Sequence, residues 1–270
     1  MFKYKVTGVS DTGAVKKENQ DSLLIRKGSL DGEPFIFALV ADGMGGVMEG
    51  ELASRTITAA FADWVKKSLK NLYGKKEPLE ELLAESWEEI IEETTSDINA
   101  YSKVMGYGTG EGPGTTLCAL LLFNGTYYVA NIGDSRAYIL RGDEIKQITT
   151  DHSWEEEAKE QGYSPMEIVE DPRRNSLTRC IGAGLEHIGA DYFAGEFTEG
   201  NNFLLCTDGF RRLALPGRIE SVFNAKSLKD GCNRAINELK ENGETDNITV
   251  IAIATKEDKP TERLSTGKQF

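Results

Sequence analysis

Histidine is nearly missing from this sequence: His152 and His187 are the only two, so a zinc site built on three imidazoles is excluded. Cysteine is scarce as well. Cys118, Cys180, Cys206 and Cys232 stand far apart with no C-x-x-C pair, which removes a thiolate zinc site of ordinary spacing. Cys118 and Cys206 lie inside apolar, strand-like runs and read as core thiols. The longest apolar runs, residues 35–41 and 117–123, fall far short of the ~20 residues that span a bilayer. Residues 1–10 hold no apolar core of a signal peptide. Cytoplasm is therefore the expected location.

Positive charge is also short. With 44 acidic against 31 basic residues the formal charge is −13, which repels nucleic acid and anionic membrane alike. Any anionic ligand must then be met by something cationic other than the net charge. Proline is sparse at 7, and no repeat or low-complexity linker divides the 270 residues. A chain of this length buries roughly three quarters of its unfolded surface and needs no disulfide staple.

Strand character appears in residues 4–9, 22–26, 35–41, 116–123, 127–132, 137–140, 203–207 and 248–254. Asn124-Gly125 is a strong hairpin signal, and Gly142-Asp143 suggests a second. Two stretches have the helical period instead. One places Leu52, Thr56, Ala60 and Trp64 on a face with Ala53, Ile57, Phe61 and Val65. The other carries Leu79, Leu82, Leu83, Trp87, Ile90, Ile91, Thr95 and Ile98 and opens with Pro78 in the first turn. Ser153 with Glu156 predicts a capping box for a helix ending near Gln161, and residues 226–242 predict a last helix. Regular βαβ alternation is absent, so mainly antiparallel sheets covered by helices are expected. Residues 1–255 read as one domain and residues 256–270 as a polar, loose tail.

Several strands meet an aspartate at one end. Asp42, Asp134 and Asp208 follow apolar runs; Asp21 and Asp246 precede them. In an antiparallel sheet the end of one strand lies beside the start of its neighbour, so these carboxylates can gather along one edge. The other reading is that Asp-Gly marks scattered turns. Neither Asp42-Gly43 nor Asp208-Gly209 resumes as a hairpin, yet the residues alone leave both readings open. A shared site would demand a cation. Two carboxylates ~5 Å apart repel by roughly 3 kcal/mol at an effective dielectric of ~20. Three such pairs approach the net stability of a whole domain. Oxygen ligands without His or Cys favour Mg2+ or Mn2+.

At this point the sequence resembles the metal-dependent Ser/Thr protein phosphatases of the type 2C class, in their bacterial branch. The resemblance rests on Glu18-Asn19-Gln20-Asp21, Asp42-Gly43-Met44-Gly45-Gly46, Gly114-Thr115-Thr116 and Gly133-Asp134-Ser135-Arg136. It continues through Thr150-Asp151-His152-Ser153, Asn175-Ser176-Leu177-Thr178-Arg179, Asp208-Gly209 and Asp246-Asn247-Ile248-Thr249. Each is weak alone; together, in the family's order across nearly the whole chain, they are specific. The resemblance implies an α-β-β-α sandwich of two packed, mainly antiparallel sheets. It also implies hydrolysis of phosphoserine and phosphothreonine in proteins by a hydroxide bridging two divalent cations, Mn2+ or Mg2+. Asp42 would bridge both metals, with the Gly43 carbonyl on one and Asp208 and Asp246 on the other. Asp21 would hold metal-bound water from the outer shell, and Asp134 would match a weaker third site. Phosphorylated proteins, a Ser/Thr kinase and its substrates among them, would be the partners.

The departures are as informative as the matches. Lys16 stands where some relatives carry a phosphate-gripping arginine; it is the expected phosphate ligand, as a point charge without the fork. Gln20 replaces a common glutamate. Met44 stands where eukaryotic relatives use a histidine as acid, leaving a metal-bound water to protonate the leaving group. Residues 154–174 match the family's variable flap. Arg136 and Arg179 read as scaffold ion-pair partners and His152 as a local hydrogen-bonder. The Gly-rich segment 106–114 lacks the Lys-Ser/Thr of a P-loop. Lys16 and Gln20 are the best support for an alternative, a weak or inactive pseudophosphatase acting as a binding module.

Overall fold

The computed structural model describes residues 2–45, 49–142, 144–186, 189–211 and 219–257. The strands are β1 (Phe2–Asp11), β2 (Ser22–Leu30), β3 (Glu33–Ala41), β4 (Gly43–Met44), β5 (Gly114–Thr115), β6 (Leu117–Phe123), β7 (Thr126–Ile132), β8 (Arg136–Arg141), β9 (Glu144–Gln147), β10 (Ile181–Gly182), β11 (Asp191–Glu196), β12 (Asn202–Cys206) and β13 (Ile248–Glu257). The helices are α1 (Glu49–Lys67), α2 (Leu69–Leu72), α3 (Leu79–Met105), α4 (Trp154–Glu160), α5 (Pro165–Glu170), α6 (Asp208–Arg211), α7 (Ile219–Phe223) and α8 (Leu228–Glu241).

Two five-stranded antiparallel sheets, ordered β1-β13-β12-β8-β9 and β11-β7-β6-β3-β2, face one another; a small sheet β10-β5-β4 lies beside them. Alternation along the central strands explains the layers. Ile36, Ala38 and Val40 of β3 point between the sheets, against Ile139, Phe203, Leu205, Ile251 and Ile253. Phe37 and Leu39 point the other way, onto Ile57, Phe61 and Trp64 of α1 and Trp87 and Ile91 of α3. Leu204, Val250 and Ala252 do the same for the second sheet, under Cys232, Ala235, Ile236 and Leu239 of α8. Strands buried on both faces must be apolar at every position, which is why they read as unbroken runs. The fold is the expected α-β-β-α sandwich.

Asn124 and Gly125, with φ of 47° and 77°, make the expected β6–β7 turn; Asp31 and Gly32, at 49° and 87°, turn β2 into β3 in the same way. Four expectations need correction. Leu52 is exposed, because the buried stripe of α1 runs through Ala53, Ile57, Phe61 and Trp64 instead. Pro78 precedes α3 as its cap and is not its first residue. At α4 only half of the capping box forms, Ser153 Oγ accepting from the Glu156 N–H; the full reciprocal box is Ser164 with Glu167 at α5. The tail begins later than residue 256, since Lys256 and Glu257 pair with Lys3 and Phe2 in β13. Gly46, Asp143, His187 and the rest of the tail lie outside the described residues.

Candidate metal centre

Strand pairing brings the aspartates together. Ser22 pairs with Ala41, so Asp21 and Asp42 lie side by side at the joined ends of β2 and β3. Asp208 follows β12 and Asp246 precedes β13, two strands paired from Cys206–Val250 onwards. Thr116 then holds the Asp42 backbone from both sides: its hydroxyl accepts from the Asp42 N–H at 2.9 Å, and its own N–H donates to the Asp42 carbonyl at 2.9 Å. The same hydroxyl meets Ser135 Oγ at 2.7 Å, which ties the segment carrying Asp134 to that carrying Asp42. Gly43 has no room for a side chain, since a Cβ there would meet the Gly50 carbonyl oxygen at 2.2 Å and that of Gln20 at 2.4 Å. The start of α1 therefore packs directly on the loop behind Asp42.

These residues line a cavity of about 250 Å³, with Lys16, Gln20, Asp42, Gly43, Asp134, Asp208 and Asp246 in its wall; Thr116, Asn175 and Leu177 are there as well. Asp21 sits behind this wall. Its Oδ2 accepts from Thr207 Oγ1 at 2.9 Å, while its Oδ1 is buried without a partner. Asp208 Oδ1 is orphaned in the same way. Burial pushes the Asp21 carboxyl up to about 7, with Asp208 and Asp246 adding to it against the Thr249 and Thr207 hydrogen bonds. Asp134 is likewise at about 7, through burial and then Asp208. Asp42 lies well above the carboxylate range, first by desolvation and then because Asp21, Asp208, Asp134 and Asp246 all face it.

Lys16 reaches into the cluster and pairs with Asp246 Oδ1 at 2.8 Å. Asn247 anchors the loop that carries it, donating from Nδ2 to the Thr12 and Glu18 carbonyls at 2.9 and 3.0 Å and accepting from the Gln20 N–H at 2.9 Å. Residue type alone gives no role to Thr207 or Arg211, and Asn247 enters the sequence only as part of a motif; the contacts of all three reach more than 70 residues away in sequence. Arg136 grips Asp151 through Nε and a second nitrogen at 2.9 and 2.6 Å, and Arg179 meets Asp191 at 2.8 Å. His152 Nδ1 accepts from the Gly133 N–H at 3.1 Å, so the neutral ring carries its proton on Nε2, 3.1 Å from Asp191. These three are scaffold, as the sequence implied.

Among the described residues, no three His, Cys, Asp or Glu side chains close around one ion-sized point. The donor set nevertheless fits hard divalent cations. It is all oxygen, its charges face each other, and two of its buried oxygens have no hydrogen-bond donor.

A family model described as protein phosphatase 2C matches residues 13–250. Over 251 residues the chain is 30% identical to the serine/threonine phosphatase stp of Listeria innocua, covering 90% of this chain and 93% of that one. The solved S. agalactiae serine/threonine phosphatase superposes with a TM-score of 0.79 at 26% identity, covering 93% of this chain and 99% of that one. The catalytic domain of the serine/threonine phosphatase PstP, solved in complex with 2 manganese ions, has a TM-score of 0.76 at 25% identity, over 95% and 100% of the two chains. The sandwich and its acidic cleft are those of a protein serine/threonine phosphatase. More particularly, the chain belongs to the protein phosphatase 2C family.

Proposed function

We propose that the chain hydrolyses phosphoserine and phosphothreonine in proteins with two divalent cations, Mn2+ or Mg2+, held by Asp42, the Gly43 carbonyl, Asp208 and Asp246. The observation that carries this reading is the convergence of buried carboxylates with unpartnered oxygens on Asp21 and Asp208. Divalent cations held there would supply the Lewis acidity that makes water a nucleophile near neutral pH and would offset the charge of the phosphate. Asp21, behind the wall and steadied by Thr207, orients water at the site's inner edge. Lys16 stands at the cleft with its side chain about half exposed, where it can turn from Asp246 to a phosphate oxygen. Phosphorylated proteins in the cytoplasm are the substrates, a Ser/Thr kinase and its targets among them.

The test is phosphate release from a phosphothreonine peptide. Activity vanishes in chelator and returns with Mn2+ or Mg2+. Asp208→Asn lowers kcat by at least ~100-fold, on the order of 3 kcal/mol in the barrier. Full turnover in chelator would overturn the reading.

A further inference from the structure

Among the described residues, Asp134 is the carboxylate of the cleft whose oxygen makes an ion pair with a guanidinium, although the same guanidinium also favours the charged form of Asp208. Arg211 ends α6, one turn after Asp208, and its Nη1 stands 3.4 Å from Asp134 Oδ2. The same nitrogen lies 3.6 Å from Asp151 Oδ2, so Arg211 is shared between two carboxylates. Asp151 is held from its other side by Arg136, and Gln147 Nε2 donates to its Oδ1 at 3.1 Å. Asp134, Arg211, Asp151 and Arg136 thus form an alternating row of two negative and two positive groups. Both carboxylates are buried, at 8% and 6% exposure. Within that row each carboxylate faces a guanidinium, which offsets part of the cost of burial. Asp21 has only hydroxyl donors on one oxygen and none on the other.

We propose that Arg211 is the fixed cation of the Asp134 side of the cleft and closes that carboxylate to a further divalent ion. The inference rests on the two-cation reading above. A guanidinium stays charged at every accessible pH, so its repulsion of an incoming dication is permanent. It is tied to Asp151 as well, so turning away from Asp134 would cost it a second ion pair. The demand for divalent ions is thereby confined to Asp42, Asp208 and Asp246, with Asp21 behind them.

Calorimetric titration of the whole chain with Mn2+ tests this, since the readout is stoichiometry and not turnover. The wild-type chain takes up two Mn2+, and Asp134→Asn leaves that isotherm unchanged within about two-fold. Arg211→Met removes the charge at similar length and gains a third Mn2+, bound at least ten-fold tighter than any third ion in wild type. Adding Asp134→Asn to Arg211→Met abolishes the gain, and Arg211→Lys keeps two. A wild-type chain that binds three Mn2+ and loses one on Asp134→Asn overturns the assignment. So does an Arg211→Met isotherm identical to wild type. If Arg211→Met does not fold, wild type and Asp134→Asn still decide. Failure of the underlying reading looks different: wild type then takes up no Mn2+, and both conclusions fall.

Discussion

Asp21 offers one oxygen to a threonine hydroxyl and leaves the other bare, and that asymmetry has a thermodynamic signature. Its carboxyl and that of Asp134 titrate at about 7 in the cation-free fold, against 3.8 for a free aspartate. In the window between those values the folded state binds more protons than the unfolded chain. Stability is then highest at the acid side and is lost as pH rises through the folded pKa. His152 acts in the opposite sense below its free value of 6.5, since burial lowers its pKa, so the comparison belongs above that pH. Thermal melts in chelator should fall between ~pH 6.5 and ~pH 8. The rise in Tm on adding Mn2+ should grow over the same interval, because a cation beside these carboxylates favours their proton-free, charged form. Lys16 makes a second residue-scale prediction. Lys16→Ala should raise KM for a phosphopeptide more than it lowers kcat, and Lys16→Arg should keep or improve KM by supplying a fork. Both are measured at saturating Mn2+, since Lys16 also sits on Asp246 and its loss changes cation affinity. An unchanged KM in Lys16→Ala would show that the ammonium serves only Asp246.

At the scale of elements, the segment between β1 and β2 has no regular structure of its own, and Asn247 makes three of the hydrogen bonds that hold it. Asn247→Ala deletes three part-buried hydrogen bonds to that segment. At ~1 kcal/mol each, stability should fall by about 2–3 kcal/mol in a urea melt, and KM should rise as Lys16 loses its station. A variant with unchanged stability and KM would show that the loop is held elsewhere. The same element scale explains what the sequence discloses. Long central strands are legible because both faces are buried, and their aspartates are legible because a charge abutting such a run has to be accounted for. The pairs β4, β5 and β10 leave no trace: they are two residues each, and three of their six residues are glycine, so only backbone contact defines them. β11 is half exposed at the sheet edge and shows no clean alternation. α5 is too short to establish a period. Leu52 misled because an apolar residue can begin a helical stripe in either phase, and only the packing of Ala53 on the sheet selects one. Lys16–Asp246 and Arg211–Asp134 were out of reach, as partners 230 and 77 residues apart carry no local signal.

For the molecule as a whole, a formal charge of −13 surrounds a cleft that must admit an anion. Long-range repulsion slows encounter, and salt screens it over a Debye length of ~8–10 Å. kcat/KM for a phosphopeptide flanked by glutamates should therefore rise with ionic strength, and that for one flanked by lysines should fall. Equal salt dependence for the two peptides would mean that only local charge matters. A last consequence belongs to the order of assembly. β1 pairs with β13 alone in its sheet, and the Ser10–Thr249 contact spans 239 residues. A ribosome makes β1 early and must hold it partnerless, at ~5–20 residues per second, until β13 emerges. β13 also inserts between β1 and β12, and Asp246 arrives just ahead of it. The strand that closes the sheet thus delivers one of the carboxylates of the cleft, so the acidic cleft is assembled only in the step that closes the sheet.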